Sequence, residues 1–385
     1  MISVTGIGIT KFGELWESSP RTLAGKAIQS ALEDSGKELK DIDVLFVANM
    51  LAGLLGGQVH LGALFAEECG WRGIPAYTIE GACASGGLAV HTAITSILSG
   101  KYKRALVLGV EKMTDHKPEE VSSALMAAGS SEERFAGATF PGLYAILARA
   151  HMDAYRTTPE QLAAVAVKNH FHASLNPNAQ YHTPITVKHV MGSACVADPL
   201  KLLDCSPITD GAAAVVLEQI TGDQSRRTKN IEIISSQVAT DALGLSKRKS
   251  LVELAATKDS AQRAFKEAGV TPADIDVAEV HDCFTIAEIM AMEDIGFFKK
   301  GGAARAIAHG ETTLNVSKKL VVNTSGGLKA CGHPVGATGV KQIVEIVEQL
   351  RGTAGKRQVR NARIGLTQNV GGSGGTAVVH ILKRV

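Results

Sequence analysis

Cys83 stands in Gly81-Ala82-Cys83-Ala84-Ser85-Gly86-Gly87, where an apolar run ending at Ile79 gives way to small residues leading into a helical pattern. A cysteine at a helix amino terminus sits among unpaired N–H groups and the positive end of the helix dipole, which favour thiolate and lower its pKa. Such a sulfur is a nucleophile. A lone buried cysteine is ordinarily an inert core thiol, but glycines on both sides allow a ligand to come close to the backbone.

An imidazole occupies the equivalent place in a second, related segment. Gly86, Val90 and Ile97 fall on Gly336, Val340 and Val347 at an offset of 250, and at that same offset Cys83 falls on His333. Each precedes a helix rich in small residues, so two packed copies related by a pseudo-twofold would bring thiol and imidazole together. A histidine beside the sulfur can take its proton, the division of labour expected for covalent acyl transfer.

Two more reactive groups close the apolar run Val277–Val280, in His281-Asp282-Cys283-Phe284. Strand ends are where α/β sheets place their sites, and residues two apart on extended chain face the same way. The run Gly371-Gly372-Ser373-Gly374-Gly375 follows another apolar segment and can present backbone N–H donors to an anionic oxygen. By itself it is equally a flexible turn.

The elements that must position these groups are duplicated. Ala31–Gly36 followed by Asp41-Ile42-Asp43-Val44 repeats at an offset of 233 as Ala264–Gly269 followed by Asp274-Ile275-Asp276-Val277, a glycine-stopped helix leading into a buried strand. Ala212–Leu217 pairs with Thr376–Ile381 as a closing strand. Between about Asp115 and Pro207 lies a stretch with no counterpart, with a helical pattern over Gln161–His172. It reads as an inserted loop domain concerned with specificity, or as a lid serving packing and assembly.

The 40 basic and 38 acidic side chains nearly cancel, which argues against a nucleic-acid or anionic-membrane surface. Local basic runs at Arg226-Arg227-Thr228-Lys229 and Lys247-Arg248-Lys249 read as solvated loops or phosphate contacts. No apolar run approaches a membrane span and the amino terminus lacks export features, so a cytoplasmic location and six free thiols are expected.

With these residues in view, the chain resembles the thiolase superfamily, and within it the sterol-carrier-protein-2-type thiolases of archaea and bacteria. The likeness spans essentially the whole chain and rests on Cys83-Ala84-Ser85, His281-Asp282-Cys283-Phe284, Gly332-His333-Pro334 and the closing glycine run, in that order. It implies an α/β thiolase fold of five layers, α-β-α-β-α, built from two halves. The expected division is 1–115 with 206–224 as the first half, 116–205 as the inserted loop domain and 225–385 as the second half.

By the same resemblance Cys83 would carry the acyl group and His333 would activate it. His281 would stand where ordinary thiolases have an asparagine and hold the thioester oxygen, while the N–H groups of Cys83 and Gly371 would form a second oxyanion hole. Ordinary thiolases also carry a cysteine in a Cys-x-Gly segment, where this chain has Asn369-Val370-Gly371. The proton-shuttle role then passes to Cys283, as in the resembled subgroup. Asn169, His170, Ser325 and Gly326 become candidates for contact with CoA, and Cys331 reads as a structural thiol or another proton carrier.

The implied reaction is the reversible joining of two acetyl-CoA to acetoacetyl-CoA and CoA, with no further cofactor and no metal, in a homodimer or homotetramer. The mevalonate pathway and lipid degradation are both places for it. A decarboxylating ketoacyl synthase on the same fold also uses a Cys-His-His set and is the nearest alternative. A thiolase-like subunit active only with hydroxymethylglutaryl-CoA synthase and a small zinc-ribbon/OB-fold bridging protein is another. Four zinc ligands, His281, Cys283, Cys331 and His333, are a third, although their one-residue spacings differ from closed zinc knuckles.

Overall fold

The computed structural model describes residues 2–220, 231–317 and 319–385. The basic run at 226–229 and the expected boundary after residue 224 lie outside the described residues.

The strands are β1 (Ile2–Ile9), β2 (Val44–Ala48), β3 (Ala76–Ile79), β4 (Arg104–Glu111), β5 (Cys195–Ala197), β6 (Leu200–Lys201), β7 (Gly211–Gln219), β8 (Ile231–Thr240), β9 (Val277–Glu279), β10 (Val321–Val322), β11 (Ile364–Gly371) and β12 (Thr376–Arg384). The helices are α1 (Pro20–Ser35), α2 (Leu61–Glu68), α3 (Ser85–Leu98), α4 (Pro118–Leu125), α5 (Ser131–Phe135), α6 (Phe140–Tyr155), α7 (Pro159–Ala173), α8 (Val187–Met191), α9 (Ala255–Ala268), α10 (Thr285–Ile295), α11 (Ala303–Ala308), α12 (Gly327–Cys331) and α13 (Thr338–Arg351).

The strand order shows the duplication. The first half runs β3-β2-β4-β7-β1 and the second β10-β9-β11-β12-β8, the same order with equivalent strands in equivalent places. In each, the central parallel strands are followed by an antiparallel pair, β4 with β7 and β1, β11 with β12 and β8. A short antiparallel register, Ile2 with Ile233 and Val4 with Ile231, hydrogen-bonds the two halves into one ten-stranded sheet. The repeated glycines at offset 233 do the same job twice: Gly36 ends α1 and Gly269 ends α9, each left-handed at φ 65°.

Apolar faces sort these elements into five layers. Leu23, Ala27, Ile28 and Ala31 of α1 pack with Leu45, Leu106 and Val216 on one face of the first half. On its other face Val90, Ala93 and Ile97 of α3 meet Val340, Ile343 and Val347 of α13, with side chains from both halves of the sheet around them. Ala261, Ala264 and Phe265 of α9, with Ile286 and Ile289 of α10, cover the far side of the second half. Each layer exists because strands such as β4 and β11, buried along nearly their whole length, need apolar cover on both faces.

The middle layer is closed by glycine. A Cβ on Gly86 would lie 2.7 Å from the Gly339 nitrogen, and one on Gly339 would fall on the Gly87 nitrogen and Asn369 Oδ1. These backbones touch, which is how the starts of α3 and α13 converge. Gly339→Ala is therefore expected to cost about 3 kcal/mol through overpacking, despite alanine's better helix propensity. A urea titration checks it: an unchanged midpoint would mean that the two helices can separate freely.

Between β4 and β7 the chain passes through α4 to α8 and the β5–β6 ribbon, whereas β11 and β12 are joined by residues 372–375 alone. The helices of this long connection close over the end of the sheet where the reactive residues lie.

Candidate active site

Cys83 is held by a strained turn. After β3 the chain passes through Ala82 at φ 54° into a single 3-10 turn, Ala82–Ala84, before α3 begins at Ser85. Ser85 Oγ accepts the Gly81 N–H at 2.9 Å and donates to the Ala82 carbonyl at 2.6 Å, which cinches the turn. The Cys83 carbonyl accepts from Asn369 Nδ2 at 3.0 Å, tying the turn of the first half to β11 of the second.

His333 follows α12 through Gly332, whose φ of 115° only glycine adopts without strain. Its N–H donates to Thr209 Oγ1 at 3.0 Å, and its Nδ1 lies 2.8 Å from Thr338 Oγ1. The Thr338 hydroxyl donates its one hydrogen to the Pro334 carbonyl, so it accepts from Nδ1–H and the lone pair of His333 is left on Nε2. A neutral ring so oriented is a base.

His281 follows β9. Its backbone N–H donates to Gln368 Oε1 at 2.8 Å and its Nδ1 lies 3.2 Å from Asn369 Nδ2, while Nε2 is buried with no partner in the protein. The two imidazoles cross edge to face, ring centres 5.1 Å apart. One ligand atom from each of Cys83, His281 and His333 lies within 4.8 Å of the others, the only group of three His, Cys, Asp or Glu so close among the described residues.

Burial sets the charge state. It pushes the Cys83 thiol up to about 12, against the pull of the Gly372 N–H, and pushes His333 down to about 3 with help from the Lys341 cation. His281 is held well below its ordinary value by burial, then by His333 and Lys341. The lowered thiol pKa expected from a helix terminus is therefore corrected: α3 starts two residues later, Cys83 is only 7% exposed, and desolvation outweighs the dipole. Thiol and imidazole face each other uncharged, and proton transfer must accompany attack. Alkylation of Cys83 by iodoacetamide in the free protein should rise about tenfold per pH unit across the mildly alkaline range, because only thiolate reacts. Peptide mapping that showed a plateau near neutrality would place a thiolate–imidazolium pair there instead.

Cys83, Cys283 and His333 all line one cavity of about 180 Å³, whose apolar wall includes Val121 and Leu125 of α4, Phe140 of α6 and Phe284. Cys283 is buried and its thiol pKa is pushed well up by that burial, with the nearby Tyr144 hydroxyl acting the other way. That hydroxyl donates its one hydrogen to the Gly372 carbonyl at 3.1 Å, and the Tyr144 ring stacks on Phe284 at 4.6 Å. No sequence signal marks Tyr144, because it comes from α6 in a segment without a motif.

The comparisons with known proteins bear on this geometry. The thiolase N-terminal domain family matches residues 2–220, and the family described as thiolase C-terminal domain-like matches residues 237–384. The chain belongs to the thiolase family. It is 48% identical over 386 residues to the acetyl-CoA acetyltransferase of Methanothermobacter thermautotrophicus, covering 100% of this chain and 99% of that one. It is 33% identical over 402 residues to human sterol carrier protein 2, covering 99% of this chain and 72% of that protein, in keeping with the sterol-carrier-protein-2-type resemblance. Among solved structures the Ltp2-ChsH2(DUF35) aldolase superposes with a TM-score of 0.85 at 24% identity, covering 100% of this chain and 97% of that one, which shows the shared fold.

Within this thiolase the remaining expected residues take definite places. The Gly372 amide acts on the Cys83 sulfur itself, one residue on from Gly371, the expected donor to the acyl oxygen. Gly371 ends β11 opposite Thr376, and a Cβ there would lie 2.5 Å from the Gly81 carbonyl. Arg248 of the second basic run pins the same loop, its Nη1 donating to the Ser373 carbonyl at 2.8 Å.

Asn169, His170, Ser325 and Gly326 are buried and do not line this cavity. Asn169 Nδ2 bridges Asp282 and Glu288 at 2.6 and 2.8 Å. His170 Nε2 lies 3.4 Å from Lys329 Nζ, the Ser325 hydroxyl donates to Glu279 at 2.6 Å, and Gly326 packs where a Cβ would strike Ala173. Asp282 accepts the Leu328 and Lys329 N–H groups, so the His-Asp-Cys-Phe segment anchors α12 and thereby His333. Cys331 is fully buried and takes a hydrogen bond from Asn176 at 3.6 Å, apart from the three-residue cluster, so the four residues weighed as zinc ligands do not come together.

Proposed function

We propose that the protein joins two acetyl-CoA molecules into acetoacetyl-CoA and CoA, reversibly and without decarboxylation, through an acetyl group carried on Cys83. The observation that supports this most directly is the meeting of Cys83, His281 and His333 within 4.8 Å, beside a cavity that Cys283 also lines. The acetyl-CoA acetyltransferase to which the chain is 48% identical supports the acyl group.

The roles follow from the proton positions. Cys83 attacks the thioester carbonyl as His333 Nε2 takes its proton, and the oxyanion accepts from the N–H groups of Cys83 and Gly371. Cys283 gives its proton to the departing CoA sulfur and becomes a thiolate, towards which the Tyr144 hydroxyl can turn its hydrogen from the Gly372 carbonyl. The oxygen of the second acetyl-CoA accepts from His281 Nε2–H while the Cys283 thiolate removes an α-proton. The enolate carbon attacks the acetyl carbonyl, and Cys83 leaves with the proton held on His333. Both thiols and the neutral imidazole are restored.

A panel of 3-ketoacyl-CoAs incubated with CoA tests the substrate class. Acetoacetyl-CoA should be cleaved to acetyl-CoA, and failure to cleave any of the panel would refute thiolysis. The Cys-His-His grouping also suits a decarboxylating synthase, which would release carbon dioxide from malonyl-CoA. Cys283 on the cavity wall favours the non-decarboxylating route, since decarboxylation makes an enolate without a base.

A homodimer or tetramer is part of the proposal. β3 is the last strand in the sheet order and Tyr77 on it is 46% exposed, an edge suited to pairing with a second copy. The name of the similar Ltp2-ChsH2(DUF35) aldolase couples that protein with a second component. An assembly with hydroxymethylglutaryl-CoA synthase and a bridging protein is the corresponding proposal here. No helix among the described residues is long and apolar enough to cross a membrane. The place proposed is the cytoplasm, with the mevalonate pathway or lipid degradation as the use of the product. The further proposal is that the reaction needs no metal or additional cofactor, and that the insertion spans 116–205 between halves at 1–115 with 206–224 and at 225–385.

A further inference from the structure

Asn369, in β11, touches both reactive segments. Its Oδ1 accepts the Gly87 N–H at 3.0 Å, and its Nδ2 lies 3.0 Å from the Cys83 carbonyl and 3.2 Å from His281 Nδ1. A backbone N–H can only donate and a carbonyl can only accept, so this amide has one possible orientation. Both of its hydrogens are then committed, one to the Cys83 carbonyl and one to His281 Nδ1. The neutral ring must accept at Nδ1 and carry its own hydrogen on Nε2, the buried atom with no partner in the protein.

We propose that Asn369 is a positioning residue that fixes the tautomer of His281, so that an unpartnered Nε2–H faces the substrate thioester oxygen before it binds. This rests on the role given above to His281 as donor to that oxygen. A donor held ready in a buried site needs no reorganisation when charge develops, and that readiness requires the hydrogen to be on the right nitrogen. The same lock places a hydrogen where a metal would need a lone pair, so the Cys83–His281–His333 cluster is set for oxyanion binding rather than for a cation.

Asn369→Asp reverses the lock. A carboxylate still accepts from Gly87 but must also accept from His281 Nδ1–H, which moves the lone pair to Nε2. Condensation of acetyl-CoA should fall about 10²- to 10³-fold at mildly alkaline pH, the usual loss for one oxyanion donor. The ratio of variant to unaltered activity should then climb as pH falls, because the new carboxylate stabilises an imidazolium with hydrogens on both nitrogens. The groups facing His281 are His333 ahead of α13, Lys341 on α13 with its partner Glu279 on β9, Cys83 on the 3-10 turn, and neighbouring Asp282 and Cys283. All are present in both proteins, so the ratio isolates the new carboxylate.

His281→Asn provides the background that needs no tautomer, since an amide carries its own N–H. There Asn369→Asp should add at most about a twofold loss. An equal loss in both backgrounds, or a ratio flat with pH, would overturn the tautomer role and leave Asn369 only as an anchor for the Cys83 carbonyl. Full condensation activity in His281→Ala would instead overturn the role of His281 itself, and this inference with it. The unaltered protein gives a direct check: long-range ¹H–¹⁵N spectra of ¹⁵N-histidine-labelled enzyme should show His281 protonated at Nε2, and the opposite tautomer refutes the inference whatever the variants do.

Discussion

Replacing Cys83 by alanine should abolish every acyl-transfer reaction of the enzyme, lowering acetyl exchange between acetyl-CoA and labelled CoA by about 10⁴-fold or more. The size follows from the loss of the covalent intermediate, because neither Cys283 nor Cys205, the other thiols on the cavity, has both imidazoles beside it. Folding should survive. The side chain is small and already packed among Leu51, Met113, Val121 and Val335, so its loss removes one sulfur atom from the edge of a cluster. Radiolabelled acetyl-CoA followed by acid quench supplies a second readout, since the unaltered protein should retain label in the Cys83 peptide and the variant should retain none. Exchange that persisted in Cys83→Ala would remove the acyl-enzyme from the mechanism altogether.

Much of this was legible because duplication leaves marks that composition does not. The offset of 233 gave matching helix and strand pairs, and α1–β2 and α9–β9 are those pairs, each with its glycine stop. The offset of 250 placed Cys83 opposite His333, and the structure brings them together because Gly86, Gly87 and Gly339 let α3 and α13 touch. The thiol's charge state was misread. Helix-start logic sees the local dipole but not how deeply the turn is buried, and burial is settled by α4, α6 and the second half of the chain.

The positioning residues were illegible for a related reason. Ser325 and Gly326 stand close to the Gly332-His333-Pro334 motif in the chain and Asn169 came from the resemblance alone, but their hydrogen bonds and packing run inward to Glu279, Ala173 and Asp282. Proximity in sequence to a reactive residue does not say on which side of it a side chain falls. Tyr144 is the converse: it touches the reactive thiol from a helix that no motif marks, and only the closing of α6 over the sheet end shows it. Asn369 was visible only as a missing cysteine, and its hydrogen bonds give it a task of its own.

Cys283→Ala should separate the two halves of the reaction. Attack of Cys83 on acetyl-CoA needs His333 and the backbone donors, and a His333 imidazolium can return its proton to the departing CoA sulfur. Acetyl exchange is therefore expected to fall by no more than about tenfold. Condensation and thiolysis both pass through transfer of a proton between carbon and Cys283, and loss of a positioned acid–base group removes about 10²- to 10⁴-fold. The upper end is expected, because the cavity wall is mostly apolar, His333 serves Cys83, and the Tyr144 hydroxyl, with its pKa pushed well up by burial, is a poor substitute base. Malonyl-CoA supplies the contrast. Its decarboxylation delivers the same enolate without a base, so any turnover of malonyl-CoA should be indifferent to the substitution. A Cys283→Ala enzyme that still condensed acetyl-CoA at full rate would show that the α-proton goes to another group, and a loss of exchange as deep as that of condensation would show that His333 cannot stand in for Cys283 as the acid for the departing CoA.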